Sequence, residues 1–175
     1  PRFSYSGGKI TSELAAIHIG GRRGLDVRIF RPHNIYGADM GNEHVIPQFV
    51  RRMCDLSREQ KSPLVFPIQG NGTETRAFCH VDDAAEGIVL IMERGAKNEI
   101  YHVGTRDEIS IGELAHRVAA ALGLPVQLEA GALLAGSTPR RCPAISKLCA
   151  LGYAPSVSLD EGIARTAAWY RDHAG

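Results

Sequence analysis

A tyrosine and a lysine stand four residues apart at the start of the chain, in Ser4-Tyr5-Ser6-Gly7-Gly8-Lys9. On a helix that spacing puts a phenol and an ammonium on one face, one turn apart. A phenol ordinarily ionises near ~10, and a close cation lowers that value, so such a pair can work as a general acid/base near neutrality. A surface tyrosine beside a solvated lysine has the same spacing, so the rest of the sequence must decide. A second group of polar residues follows a strand-like stretch: Arg31, His33, Asn34 and Tyr36 in Arg31-Pro32-His33-Asn34-Ile35-Tyr36-Gly37. Ligands of open α/β sheets bind at the carboxyl ends of strands. These four are therefore candidate ligand contacts, with plain polar loop residues as the alternative.

Composition narrows the classes. At 175 residues the chain can bury one core, or one core plus a small lobe. A formal net charge of +1 provides no bulk attraction for nucleic acid or a membrane surface, and neither is expected as a partner. No apolar run approaches a membrane span, and nothing at the start resembles a signal peptide. Cys54, Cys79, Cys142 and Cys149 lack metal-ligand spacing and a disulfide framework, and read as reduced thiols of a cytoplasmic protein. The seven histidines are scattered, so no metal site is expected. The chain begins at Pro1 and enters a helix almost at once, which reads as a piece whose natural N-terminal part lies outside this sequence.

The elements that must position the candidates follow in order. Apolar positions Ile10, Leu14, Ala15 and Ile17, with His18, predict a helix from Ser4 to about Ile19 with one buried face, ended by Gly20, Gly21 and Gly24. Leu25 to Phe30 alternates as a strand, and Pro32 is expected to break its pairing and turn the chain outwards. A helix from Val45 to about Ser57 has Pro47 in its first turn, with Arg51, Arg52 and Arg58 solvated. Pro63 to Ile68 reads as a short edge strand and Gly70-Asn71-Gly72 as a turn. Thr75 to Val81 reads as one strand, followed by a helix over 83–93 capped by Asp82. Glu99 to Val103 is a strand. Ser110 with Glu113, and Ser158 with Glu161, are capping boxes opening two further helices. Pro125 to Glu129 reads as a strand, 130–143 as an irregular connection, and Ser146 to Leu151 as a short helix.

Four motifs in one order then carry a resemblance. Tyr5-xxx-Lys9, Arg31-Pro32-x-Asn34-x-Tyr36-Gly37, Thr75-Arg76-x-Phe78-x-x-Val81-Asp82-Asp83 and Arg141-x-Pro143 precede a tail of Leu151-Gly152-Tyr153-x-Pro155 and Leu159-x-Glu161-Gly162. The chain resembles the C-terminal part of the extended short-chain dehydrogenases/reductases, the NAD-dependent nucleotide-sugar epimerases, dehydratases and decarboxylases. The resemblance implies an α/β fold: the last units of a Rossmann-type parallel sheet plus a small mixed substrate lobe. Residues 1–37 would close the cofactor domain and 38–175 would form mainly the substrate lobe, with 73–95 returning to the Rossmann sheet.

The resemblance also implies roles. Tyr5 would remove a sugar hydroxyl proton, and Lys9 would assist it and hold the nicotinamide ribose. Pro32 and His33 would line the nicotinamide pocket, and Asn34 would bond the substrate's phosphate or sugar. Arg76 and Arg141 would clamp the diphosphate, for which a planar guanidinium fork is suited. Gln69 stands where the family usually stacks an aromatic on the nucleobase, and Ala144 stands where it usually has a ribose-anchoring acid. The stretch His33 to Gly37 looks particularly similar to the GDP-mannose 3,5-epimerases, whose loop acid/base lysine falls at His44, and imidazole titrates in a suitable range. The implied activity is NAD-dependent epimerisation of a nucleotide-diphosphate sugar through a transient keto sugar, with NADP not excluded and a homodimer expected. A dehydratase or decarboxylase on the same scaffold is the alternative, and a non-catalytic nucleotide-sugar-binding remnant is another. The family's glycine-rich dinucleotide fingerprint, its NAD-selecting acid and its Ser/Thr partner of the Tyr–Lys pair all precede the region seen here.

Overall fold

The computed structural model describes residues 4–59, 62–132 and 136–173, so part of the connection read over 130–143 lies outside the described residues. The elements run α1 (Ser4–Ala15, continued by a π-helical segment over Ala16–Gly20, so that the helical backbone passes through Gly20 and Gly21 instead of ending there), β1 (Ile29–Pro32), β2 (Ile35–Tyr36), α2 (Val45–Glu59), β3 (Leu64–Ile68), β4 (Thr75–Ala77), β5 (Cys79–His80) and α3 (Val81–Arg94). There follow β6 (Ile100–Val103), β7 (Glu108–Ser110), α4 (Ile111–Leu122), β8 (Val126–Ala130), β9 (Arg140–Arg141), α5 (Ser146–Cys149) and α6 (Leu159–Asp172). The pairing is that of an α/β protein: β1 with β6, β2 with β5 and β3 with β8 are all parallel. A mixed three-stranded sheet has β4 at its centre, antiparallel to β7 and parallel to β9. Among the described residues no helix is long and apolar enough to cross a membrane, and all four cysteines are free thiols.

Two apolar clusters hold these layers. Ile46, Val50 and Met53, spaced to share one face of α2, pack with Leu114 and Val118 of α4 and Ile163 and Ala167 of α6. Each large side chain buried in this way contributes roughly 1.5–3 kcal/mol. Phe66 joins them from β3, edge-on to Phe49 at 5.2 Å between ring centres. The second cluster sets Cys79, Ile91, Tyr101 and Val103 against Ile145, Leu148 and Tyr153. At Gly162 the approach is so close that a β-carbon there would sit 2.0 Å from the Tyr36 hydroxyl oxygen, so α6 can reach β2 only with glycine at that position.

Several boundaries differ from the sequence reading, each for a physical reason. The strand begins at Ile29 rather than Leu25 and keeps its register through Pro32, opposite Val103. Ile29 N donates to Glu99 O (3.0 Å) and His33 N to Val103 O (2.9 Å). The donor missing at Pro32 therefore falls on the side facing away from β6, and costs no bond. The single strand read over Thr75 to Val81 is broken at Phe78, because β4 and β5 serve different partners. The cap of α3 is His80, whose ring accepts from Asp82 N, and not Asp82. Ser110 and Ser158 do cap α4 and α6, accepting from Glu113 N and Glu161 N. The reciprocal half of each box is replaced by an ion pair, Glu113 with Arg117 and Glu161 with Arg165. Arg52 is not simply solvated: it donates to Pro67 O (2.6 Å) and lies over the Phe66 ring at 4.6 Å. Finally, α1 has no buried residue, and Ile10 and Leu14 are exposed, because no described element packs on the face read as buried.

Asp83, 1% exposed, joins α3 to the segment entering α6. Its carboxylate accepts from Ser156 N (2.8 Å), Ser156 Oγ (3.1 Å) and Val157 N (3.2 Å). Asp83→Ala would leave those donors without their acceptor. It is expected to lower the unfolding free energy by about 2–4 kcal/mol, read as a lower urea midpoint at unchanged slope. A midpoint equal to that of the unmodified protein would show that this carboxylate does not fasten α6.

Candidate functional site

Tyr5 and Lys9 share one face of α1, with Lys9 Nζ 5.4 Å from the centre of the Tyr5 ring. Tyr5 is 74% exposed. The helix is kept regular across its glycine pair by Thr11 and Ser12, whose hydroxyls donate back to Gly7 O (3.0 Å) and Gly8 O (2.9 Å). Its link to the sheet is a guanidinium fork: Arg31 donates to the two Glu13 oxygens at 2.8 and 2.5 Å. That hydrogen bond, before any other cause, holds the Glu13 carboxyl below its ordinary range. Arg31, read from the sequence as a ligand contact, is occupied as the anchor of α1.

At the carboxyl end of β1 the half-buried His33 meets His102, with Nε2 and Nδ1 2.6 Å apart and ring centres 4.8 Å apart. One proton can lie between the two nitrogens. Burial first, then the charges of His102 and Arg31, pushes His33 below its ordinary value. Asn34 follows with a left-handed backbone (φ 44°), a conformation that asparagine tolerates better than most residues. Its Nδ2 donates to Ala77 O (2.8 Å), and its own carbonyl accepts from Cys79 N (3.2 Å). Tyr36, the last of the loop candidates, is buried and donates to Leu159 O (3.4 Å). Burial pushes its phenol far up, so it is a core residue rather than a ligand contact.

Arg76 on β4 and Arg141 on β9 stand directly opposite each other in parallel register. Arg76 donates to Thr75 O (2.7 Å) and Thr138 O (2.8 Å), and Arg141 to Thr138 Oγ1 (3.2 Å). Burial, and then the charge of Arg141, holds Arg76 below its ordinary value. Two guanidinium groups kept together in this way gain when an anion arrives between them.

Two clefts flank the pair and share Asn34. One, about 360 Å³, is lined by Asn34, Gln69, Glu74, Arg76 and Phe78 among others. The second, about 470 Å³, is lined by Pro32, His33, Asn34, Arg140, Arg141 and Pro143 among others. All the expected substrate residues, Asn34, Gln69, Arg76 and Arg141, thus line one or both clefts, and Pro32 and His33 stand in the second. Tyr5 and Lys9 line neither. His44 is exposed just before α2 and borders a smaller cavity of about 60 Å³ with Asn34, Tyr36 and Phe78.

Sequence reasoning missed Glu74, Arg52 and His102. Glu74 was within reach, since residues two apart share a face where β4 begins, and Arg76 was already singled out. Arg52 resembles any solvated helical arginine until Phe66 is known to lie beneath it. His102 is 69 positions from His33, and only the β1–β6 register joins them.

Residues 1–104 match the model of the family described as NAD dependent epimerase/dehydratase. The chain is 34% identical over 175 residues to a dTDP-glucose 4,6-dehydratase of Streptomyces antibioticus, covering 99% of this chain and 50% of that protein. It is 33% identical over 153 residues to GDP-L-fucose synthase 1 of Arabidopsis thaliana, covering 85% of this chain and 47% of that protein. A dTDP-glucose 4,6-dehydratase of Streptomyces venezuelae, crystallised with NAD bound, matches with a TM-score of 0.79 at 35% identity, over 96% of this chain and 51% of its own. The chain spans about half the length of the curated relatives it matches.

The histidine pair gives the site a pH dependence. Because the folded value of His33 lies below the ordinary 6.5, the unfolded chain binds that proton more readily. The contribution to stability is complete above the ordinary value and is lost as the pH falls through the folded one. Thermal melting followed from about pH 7.5 down to about pH 5 is expected to show a progressive fall that His33→Gln reduces. An identical pH slope in the variant would exclude the imidazole pair as its source.

Proposed function

The chain belongs to the NAD-dependent epimerase/dehydratase family, and on that premise we propose that it serves the NAD-dependent epimerisation of a nucleotide-diphosphate sugar. The observation carrying this reading is the in-register pair Arg76 and Arg141, set between two clefts that share Asn34. A diphosphate presents oxygens on two adjacent phosphorus centres, which two planar forks side by side can engage together. One cleft then takes the sugar and the other the nucleoside.

The residues present fit the nicotinamide end of the cofactor. Tyr5 and Lys9 leave a hydroxyl and an ammonium on one exposed face, and a β-carbon built at Gly7 or Gly8 meets nothing within 4 Å, so a flat group can lie against α1. Pro32 and His33 line the cleft at the end of β1 and would bound the same ring. NAD, when bound, supplies a hydride acceptor that returns what it takes. Tyr5 Oη takes the proton of the sugar hydroxyl being oxidised and gives it back on reduction, while Lys9 Nζ stabilises the oxygen that carries the charge between. Asn34, Arg76 and Arg141 hold the diphosphate, Gln69 meets the nucleoside, and His44 serves as a second acid/base at the sugar ring. In this reading residues 1–37 and 73–95 belong to the cofactor side, joined by β6 through its pairing with β1, and 38–175 otherwise forms the substrate lobe. The bare face of α1, with Ile10 and Leu14, is the surface a homodimer would bury.

A dehydratase is the second reading, favoured by the 34% identity to a dTDP-glucose 4,6-dehydratase. Product analysis with UDP-, GDP- and dTDP-sugars separates the two: plain inversion marks an epimerase, loss of water a dehydratase and loss of CO₂ a decarboxylase. Binding without turnover in the natural protein would mark a non-catalytic binder. Arg76→Ala and Arg141→Ala are each expected to raise KM for the sugar nucleotide by about 10- to 100-fold. Tyr5→Phe is expected to lower kcat by about 10²- to 10⁴-fold with sugar-nucleotide binding retained. Full turnover in Tyr5→Phe would remove the tyrosine from the chemistry, and full turnover in His44→Ala would do the same for the histidine.

A further inference from the structure

The nucleoside end can be taken one step further, on the basis of the nucleotide-sugar reading above. Arg76 and Arg141 divide the binding surface, and the cleft with Pro32 and His33 lies at the end of β1, the strand to which Arg31 and Glu13 fasten the Tyr5 helix. The reacting sugar therefore belongs on that side, and the nucleoside in the opposite cleft, with Gln69 and Glu74. Glu74 is half-buried, and among the described residues its carboxylate has no hydrogen-bond or ion-pair partner, although Arg76 feels its charge. Glu108, by contrast, is occupied by Thr75 and Arg140. Glu43 also reaches this cleft, but from an exposed loop. The Gln69 amide likewise has no described partner.

We propose that Glu74, with Gln69, selects guanine, so that the substrate is a guanine-nucleotide sugar. A carboxylate only accepts hydrogen bonds, whereas an amide can donate. The guanine edge presents O6, N1–H and N2–H in sequence: one acceptor beside two adjacent donors. Gln69 Nε2 donates to O6, and the two Glu74 oxygens accept from N1–H and N2–H. Uracil and thymine flank a single N3–H with two carbonyl oxygens, which a carboxylate repels. Adenine and cytosine set one amino donor beside an unprotonated ring nitrogen. A ribose cis-diol also offers two donors, but it leaves Gln69 without a role.

Calorimetric titration of the full chain with GDP, UDP, dTDP and ADP tests the assignment. GDP is expected to bind about tenfold or more tightly than the other three. Glu74→Gln is expected to abolish the preference, with GDP weakened and UDP bound no more weakly than before because the repulsion of its carbonyl oxygens is gone; retained UDP binding also shows that the variant is folded. Equal affinity for GDP and UDP or dTDP overturns the proposal, as does a GDP preference that survives Glu74→Gln. A UDP-over-dTDP preference abolished by Glu74→Gln would instead put the ribose diol against the carboxylate, and overturns it too. If none of the four binds, or if Arg76→Ala weakens none of them, the nucleotide-sugar reading itself fails and this assignment falls with it.

Discussion

Two hydrogen bonds at Asn34 fix the relation between the chain leaving β1 and the chain joining β4 to β5. The side-chain amide donates to Ala77 O and the main-chain carbonyl accepts from Cys79 N, with the backbone held at φ 44°. Ala77 and Cys79 bracket Phe78, the point at which one extended run changes partners from β7 and β9 to β2. If the stitch were absent, Pro32 and His33 on one side and Arg76 on the other would be free to move independently. Both clefts share Asn34, so its rigidity is a condition for a ligand to span them. The left-handed backbone is a modest cost for asparagine, a residue whose short amide can offset it by local bonding.

The electrostatics around this stitch are asymmetric. Arg31 is neutralised by Glu13 and Arg140 by Glu108, while Arg117 and Arg165 each meet acids on the helical surface. Exposed pairs of that kind contribute little to stability. Arg76 and Arg141 are bonded instead to neutral oxygens, of Thr75 and Thr138, and among the described residues neither forms an ion pair, although Arg76 feels the charge of Glu74. Burial and the charge of Arg141, which hold Arg76 below its ordinary value, amount to a cost that an anion between the two forks would relieve. Neutral acceptors orient the forks without competing for their charge.

Much of this was legible in the sequence because it is local. The helix read from Val45 with Pro47 in its first turn is α2, and Ser110 and Ser158 forecast the starts of α4 and α6. The grouping of the candidate residues was legible where one short run holds them, as with Pro32, His33 and Asn34, or where motif order named Arg76 and Arg141. Long-range features were not. The break at Phe78 exists because two sheets compete for one run, and His80 displaces Asp82 as a cap because β5 delivers its ring to that position. Proline within a strand signals disruption only if its nitrogen faces the partner, and at Pro32 it faces away. Amphipathic spacing in α1 marks a face suited to burial, but it does not say what covers it.

That bare face bears directly on the chemistry. Lys9 Nζ sits 5.4 Å from the Tyr5 ring centre, yet the phenol is 74% exposed, and between water-exposed groups a unit charge at such range is worth only about 1 kcal/mol. The same geometry at an effective dielectric near 20 is worth roughly four times as much. In the reading proposed above, what the pair needs for proton transfer is the removal of water. Glycines at positions 7 and 8 leave room for a flat group to approach the helix closely enough to achieve this. The Glu13–Arg31 fork holds the far end of α1 to the strand whose carboxyl end carries Pro32 and His33. A group lying against α1 would then be held against a surface of fixed orientation, and the occupied site, rather than the bare helix, would give the tyrosine and lysine their reactivity.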